Sequence, residues 1–101
     1  MSPMFSIVVT AYNNVAYLPG CLDSVRAQTI ASWECVVVDD ASPDDTGKVA
    51  ARYADADERF RVLSLSENRG LHLARRAGVE QCRGEYVIFL DADDELSPSA
   101  L

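Results

Sequence analysis

Residues 33–45 read WECVVVDDASPDD, and their order decides the fold. The run from 33 to 39 has the length of a strand and is apolar at nearly every position, as in a parallel sheet buried on both faces. Helix-start chemistry follows at once. Ser42 can cap, Pro43 fits the first helical position, and Asp44 and Asp45 suit the positive end of the helix dipole. A buried strand running into a helix is the unit from which α/β proteins are built.

Working outward, three more runs have the same character: residues 5–10 (FSIVVT), 61–66 (RVLSLS) and 86–90 (YVIFL). Helical spacing fills the gaps. Residues 16–28 place Leu18, Cys21, Leu22 and Val25 on one face. Residues 43–53 turn Val49, Ala50 and Tyr53 inward, and residues 70–82 align Leu71, Ala74, Ala77 and Gly78. Ser97-Pro98 reads as the start of a fourth helix. The order β-α-β-α-β-α-β predicts a Rossmann-like α/β fold with one parallel sheet, right-handed crossovers and helices on both faces. Residues 1–101 read as one domain at most, the truncated N-terminal part of a larger domain.

Composition limits the function. Apolar residues make up 49% of the chain, which argues for a globular fold. The net charge of -7 disfavours non-specific binding to nucleic acid or anionic lipid. Cys21, Cys35 and Cys82 are far apart and outside any CxxC or Cys/His pattern, so they read as small buried hydrophobes in a reducing compartment. Residues 1–4 lack a basic region and residues 5–9 are too short for a signal-peptide core, so no signal peptide is expected. No apolar run approaches the roughly 20 residues of a membrane span. The expected location is cytoplasmic, or the cytoplasmic face of a membrane for a longer protein containing this chain.

In open parallel sheets, ligands bind beyond the carboxyl ends of the strands. The unusual polar residues fall there: Thr10-Ala11-Tyr12-Asn13-Asn14, Asp39-Asp40-Ala41-Ser42, Glu67-Asn68-Arg69-Gly70 and Asp91-Ala92-Asp93-Asp94-Glu95. The opposite edge receives residues 29–32, 55–60 and 83–85, with no comparable constellation. Asp91, Asp93, Asp94 and Glu95 crowd four carboxylates into five positions, a cluster whose mutual repulsion a cation would relieve. Mg²⁺ or Mn²⁺ suits one or two carboxylates plus substrate phosphate oxygens. Asp91 and Asp93, two apart in extended chain, can face one site. Asp39 and Asp40 can accept hydrogen bonds from a ribose hydroxyl or a base N–H if Ser42 does the capping. Tyr12 can stack on a nucleobase, with Thr10 at its edge. Arg75 lies one turn into the third helix and can reach a phosphate or base carbonyl. His72, the one histidine, reads as a partly exposed structural residue.

These residues resemble the N-terminal part of the family 2 glycosyltransferases, inverting enzymes with a GT-A nucleotide-binding fold. The resemblance rests on SIVVTAYN at 6–13, VDDASPDDT at 38–46, NRG at 68–70, Ala74-Arg75 with Gly78, and GEYVIFLDADD at 84–94. Leu96 and Pro98 continue it, so it spans nearly the whole chain. It implies that Thr10 and Tyr12 border the base, that Asp40 binds it with Asp39 nearby, and that Arg75 lies along the nucleotide. Asp91 would bind the ribose or sugar side, and Asp93 would be the main metal ligand, with Asp94 close by. The family often has Pro where Thr10 or Ala11 stands and Asn where Arg76 stands. Its catalytic base lies well beyond the metal motif, so it is expected after Leu101 and none is assigned. The 101 residues alone are expected to transfer little or no sugar.

The implied reaction is a single displacement at the anomeric carbon, with inversion. A UDP-sugar is the favoured donor, TDP- and GDP-sugars fit nearly as well, and a glycan or lipid hydroxyl is the acceptor. Other readings are weaker. A phosphoacceptor receiver domain needs a Lys late in the chain, and Lys48 lies inside the second helix. A nucleotidyltransferase would want a Gly-rich loop after the first strand, where this chain has TAYNN. A non-catalytic nucleotide-binding fragment is the remaining alternative. Surfaces bared by truncation would favour self-association.

Overall fold

The computed structural model describes residues 2–101. Its elements alternate: β1 (Phe5–Ala11), α1 (Leu18–Arg26), β2 (Trp33–Asp39), α2 (Thr46–Ala56), β3 (Phe60–Ser64), α3 (Leu71–Glu80) and β4 (Tyr86–Asp91). The strands form one parallel sheet in the order β3-β2-β1-β4. This is the α/β architecture expected from the run pattern.

Alternation along the strands divides the core into two layers. Ile7, Val9, Cys35 and Val37 pack against Leu18, Cys21, Leu22 and Val25 of α1 and Ala50 of α2. Val8, Val36 and Val38 face the other way, toward Ala74 of α3. The central strands are therefore apolar at consecutive positions because both faces are covered. Gly78 lets α3 lie close to the sheet: a Cβ there would sit 2.5 Å from a Val8 methyl and 2.9 Å from a Val38 methyl.

The winding fixes where a ligand can bind. From β1 the chain steps to β2 and β3. It then returns past β1 to β4, so its direction reverses between β1 and β4. At such a switch point a crevice opens beyond the carboxyl ends of the strands.

Three local expectations need correction. α2 begins at Thr46, not Pro43, and Ser42 does not cap it. The Ser42 hydroxyl instead accepts the Asn13 N–H at 3.0 Å. Asp44 accepts the Thr46 N–H at 3.0 Å and also its hydroxyl, and these bonds hold its carboxyl below the usual range. The fourth helix is absent: residues 98–99 form a turn, because groups just after α1 take the carbonyls of Ser97 and Pro98 (Gln28 Nε2 at 2.7 Å and Thr29 N at 3.0 Å). The amino-terminal edge of the sheet, expected to be plain, holds a buried charge. Glu34 is 6% exposed, and its carboxylate accepts the Ser6 hydroxyl at 2.5 Å, the Arg83 N–H, and the Arg61 guanidinium at 2.8 Å.

β4 pairs on one side only. Tyr86, Val87 and Phe89 on it are 56%, 40% and 45% exposed. Among the described residues, no helix is long and apolar enough to cross a membrane.

Candidate functional site

Loops at the carboxyl ends of the strands enclose a cleft of about 400 Å³, lined by Thr10, Tyr12, Asn14, Asp40, Asn68, Ala74, Asp91 and Asp93 among others. Thr10 and Asp91 are register partners on β1 and β4. The Thr10 hydroxyl lies 3.4 Å from Asp91 Oδ1, and the Ala92 N–H donates to the Thr10 carbonyl at 3.1 Å. The acidic loop is therefore stitched to β1 at the switch point. Tyr12 stands at the rim, 47% exposed. Its N–H donates to Asn14 Oδ1 at 2.8 Å, which orders the loop after β1.

Asp91, Asp93 and Asp94 can each bring one carboxylate oxygen within 4.8 Å of the others. The Asp94 N–H donates to the Asp91 carbonyl at 2.9 Å, closing the turn that gathers them. Arg75 adds a cation: its Nη2 is 3.7 Å from Asp91 Oδ1, its guanidinium lies 5.2 Å from the Phe89 ring centre, and its buried Nε has no partner among the described residues. The field of this corner shows in Cys21 on α1. Burial, then the carboxylates of Asp94, Glu95, Asp93 and Asp91, push its thiol up to about 12.

The two acids after β2 have separate environments. Asp40 lines the cleft but is 4% exposed. Its carboxylate oxygens accept the Arg69 N–H at 2.8 Å and the Gly70 N–H at 3.0 Å, and Asn68 Nδ2 donates to its carbonyl at 3.2 Å. Gly70, at φ +86°, begins α3. Asp39 does not line the cleft. Its Oδ1 accepts the Ser42 N–H at 3.0 Å, and its Oδ2 fills the space where a Gly47 Cβ would stand. The expectation that capping by Ser42 leaves both acids free therefore fails, since both carboxylates already serve the backbone. Arg76 pairs with Glu80 at 3.7 Å, outside the cleft. His72 is exposed.

The structure adds one contributor to the site and removes one acid from the cluster. Asn14 was one of a polar run, and its side chain proves to brace Tyr12. Glu95 falls beside the acids, but its carboxylate packs toward Gly20 of α1, 3.1 Å from where a Cβ would lie. A larger hollow of about 740 Å³ lies at the opposite edge. Of the charges that line it, Arg59 pairs with Asp57 and Arg83 with Glu34.

A parallel sheet with an acidic loop and a polar cleft at its switch point defines the nucleotide-binding half of a GT-A protein. The chain belongs to glycosyl transferase family 2, whose family model matches residues 6–101. It is 40% identical over 97 residues to the uncharacterized glycosyltransferase EpsJ of Bacillus subtilis, covering 96% of this chain and 28% of EpsJ. It resembles S. aureus TarS 1-349 crystallised with UDP-GlcNAc (TM-score 0.87, 33% identity, 97% of this chain and 28% of that one). It also resembles the mannosyltransferase PcManGT of Pyrobaculum calidifontis in complex with GDP-Man and Mn²⁺ (TM-score 0.87, 28% identity, 99% and 30%). The chain thus spans under a third of the length of these relatives.

Proposed function

We propose that this chain is the donor-binding half of a metal-dependent, inverting glycosyltransferase that passes a sugar from a nucleoside diphosphate, preferably UDP, to an acceptor hydroxyl. The observation that carries this reading is the gathering of Asp91, Asp93 and Asp94 at the mouth of a switch-point cleft. The solved relatives add support, since they hold UDP-GlcNAc in one case and GDP-Man with Mn²⁺ in another.

The donor set fits a hard divalent cation: clustered carboxylate oxygens leave the remaining coordination positions to phosphate and water. Asp93, with Asp91 and Asp94, would hold Mn²⁺ or Mg²⁺. When bound, the ion supplies positive charge to the leaving diphosphate. The chain's own groups do the rest. Tyr12 offers an aromatic face to the base at the rim. Thr10 holds Asp91 and borders the same space. Asp40 retains lone pairs beyond the two N–H groups it accepts, so it can meet a base N–H while fixing the loop around it. Asp39 acts from behind, by shaping the turn that presents Asp40. Arg75 pairs with Asp91, and its guanidinium can turn to a phosphate oxygen.

Titration calorimetry with UDP and UDP-GlcNAc, with and without Mn²⁺, tests the reading. Nucleotide binding should need the metal, and Asp93→Asn should weaken it by at least about 10-fold. Equal affinity in EDTA would sink the metal assignment. Self-association through the open edge of β4 belongs to the same proposal, and light scattering showing a monomer at high concentration would remove it.

A further inference from the structure

We infer that Ser24 and Gln28, on and just after α1 and outside the cleft, are positioning residues for the metal-binding carboxylates. The inference rests on the metal reading above. It starts from a polar side chain where an apolar one would be expected: Gln28 is only 8% exposed. Burying an amide is costly unless its hydrogen bonds are met. Here they are met, mostly by the segment after the acidic loop. Gln28 Nε2 donates to the Ser97 carbonyl at 2.7 Å and to the Ser24 carbonyl at 3.1 Å, and Oε1 accepts the Leu101 N–H at 3.1 Å.

Ser24 works one turn earlier. Its Oγ accepts the Leu96 N–H at 3.0 Å while donating to the Cys21 carbonyl at 2.6 Å. Cys21 Sγ in turn lies 3.7 Å from the Asp91 carbonyl. The loop bearing Asp93 and Asp94 is therefore pinned at both ends, to β1 through Ala92 and to α1 through Leu96. Both carboxylates are exposed. Their spacing depends on these two anchors, and metal affinity falls when such outer supports are lost.

The test compares Ser24→Ala, Ser24→Thr and a remote core control, Phe60→Leu. Two readouts are used: amide hydrogen exchange of residues 92–97 without metal, and Mn²⁺ affinity by calorimetry. Ser24→Ala should speed exchange in that segment and raise the Mn²⁺ dissociation constant about 10-fold. Ser24→Thr, which keeps the hydroxyl, should restore both. Phe60→Leu should lower the melting temperature and move neither. Unchanged exchange and affinity in Ser24→Ala would overturn the inference, as would equal weakening by Phe60→Leu. Failure of the unsubstituted protein to bind Mn²⁺ would overturn the metal reading itself, and the inference with it.

Discussion

Asp40 shows how one side chain serves structure and site together. It is nearly buried, and its carboxylate ties the 69–70 backbone to the end of β2. Asn at this position offers one acceptor oxygen, and its amide N–H groups would face the donors at Arg69 and Gly70. Asp40→Asn is therefore expected to cost about 1–3 kcal/mol, read as a fall in melting temperature by circular dichroism. Glu34 gives a prediction in pH. Burial pushes its carboxyl up, but the Ser6 hydroxyl, the Arg83 N–H and the Arg61 guanidinium outweigh that and hold it below its ordinary 4.5. A carboxyl lowered on folding contributes stability that is present above its unfolded value and lost as pH falls through its folded value. Glu34→Gln should therefore destabilise the protein at pH 7, and the gap between variant and parent should narrow below about pH 4.5. Thermal melts across pH 3–7 check this, and a constant gap would count against it.

At the scale of elements, α3 depends on a missing side chain. Gly78→Ala forces a methyl against Val8 and Val38, and overpacking of this kind costs about 1–3 kcal/mol. Because α3 carries Arg75 and follows the loop held by Asp40, the variant should also weaken nucleotide binding, which calorimetry would detect. The elements themselves were legible because their signals are local. Continuous apolar runs gave the four strands, and the face of α1 came out residue for residue as Leu18, Cys21, Leu22 and Val25. The start of α2 departs from its capping signal because capping is a competition. Ser42 had the right chemistry, but the distant Asn13 N–H claimed its oxygen. The carboxyl-edge clusters were legible from strand direction alone. That Asp39 faces a turn, Asp40 a loop and Glu95 a helix depends on contacts between segments far apart in sequence. Periodicity carries no record of those.

For the whole molecule, the order β3-β2-β1-β4 places the first strand at the centre and the last beside it. The two residues that meet at the switch point, Thr10 and Asp91, are 81 positions apart. Closing so long a loop has an entropic cost that must be met before the contact is rewarded, and non-local pairing slows folding. β1, β2 and β3 can associate with α1 and α2 while β4 is still free. The acidic loop and residues 96–101, which Ser24 and Gln28 hold, come into place only when β4 docks. β1 thus waits for β4, and the cleft is a late product of folding. In stopped-flow refolding, Mn²⁺-dependent nucleotide binding should emerge after the bulk of the circular dichroism signal has returned.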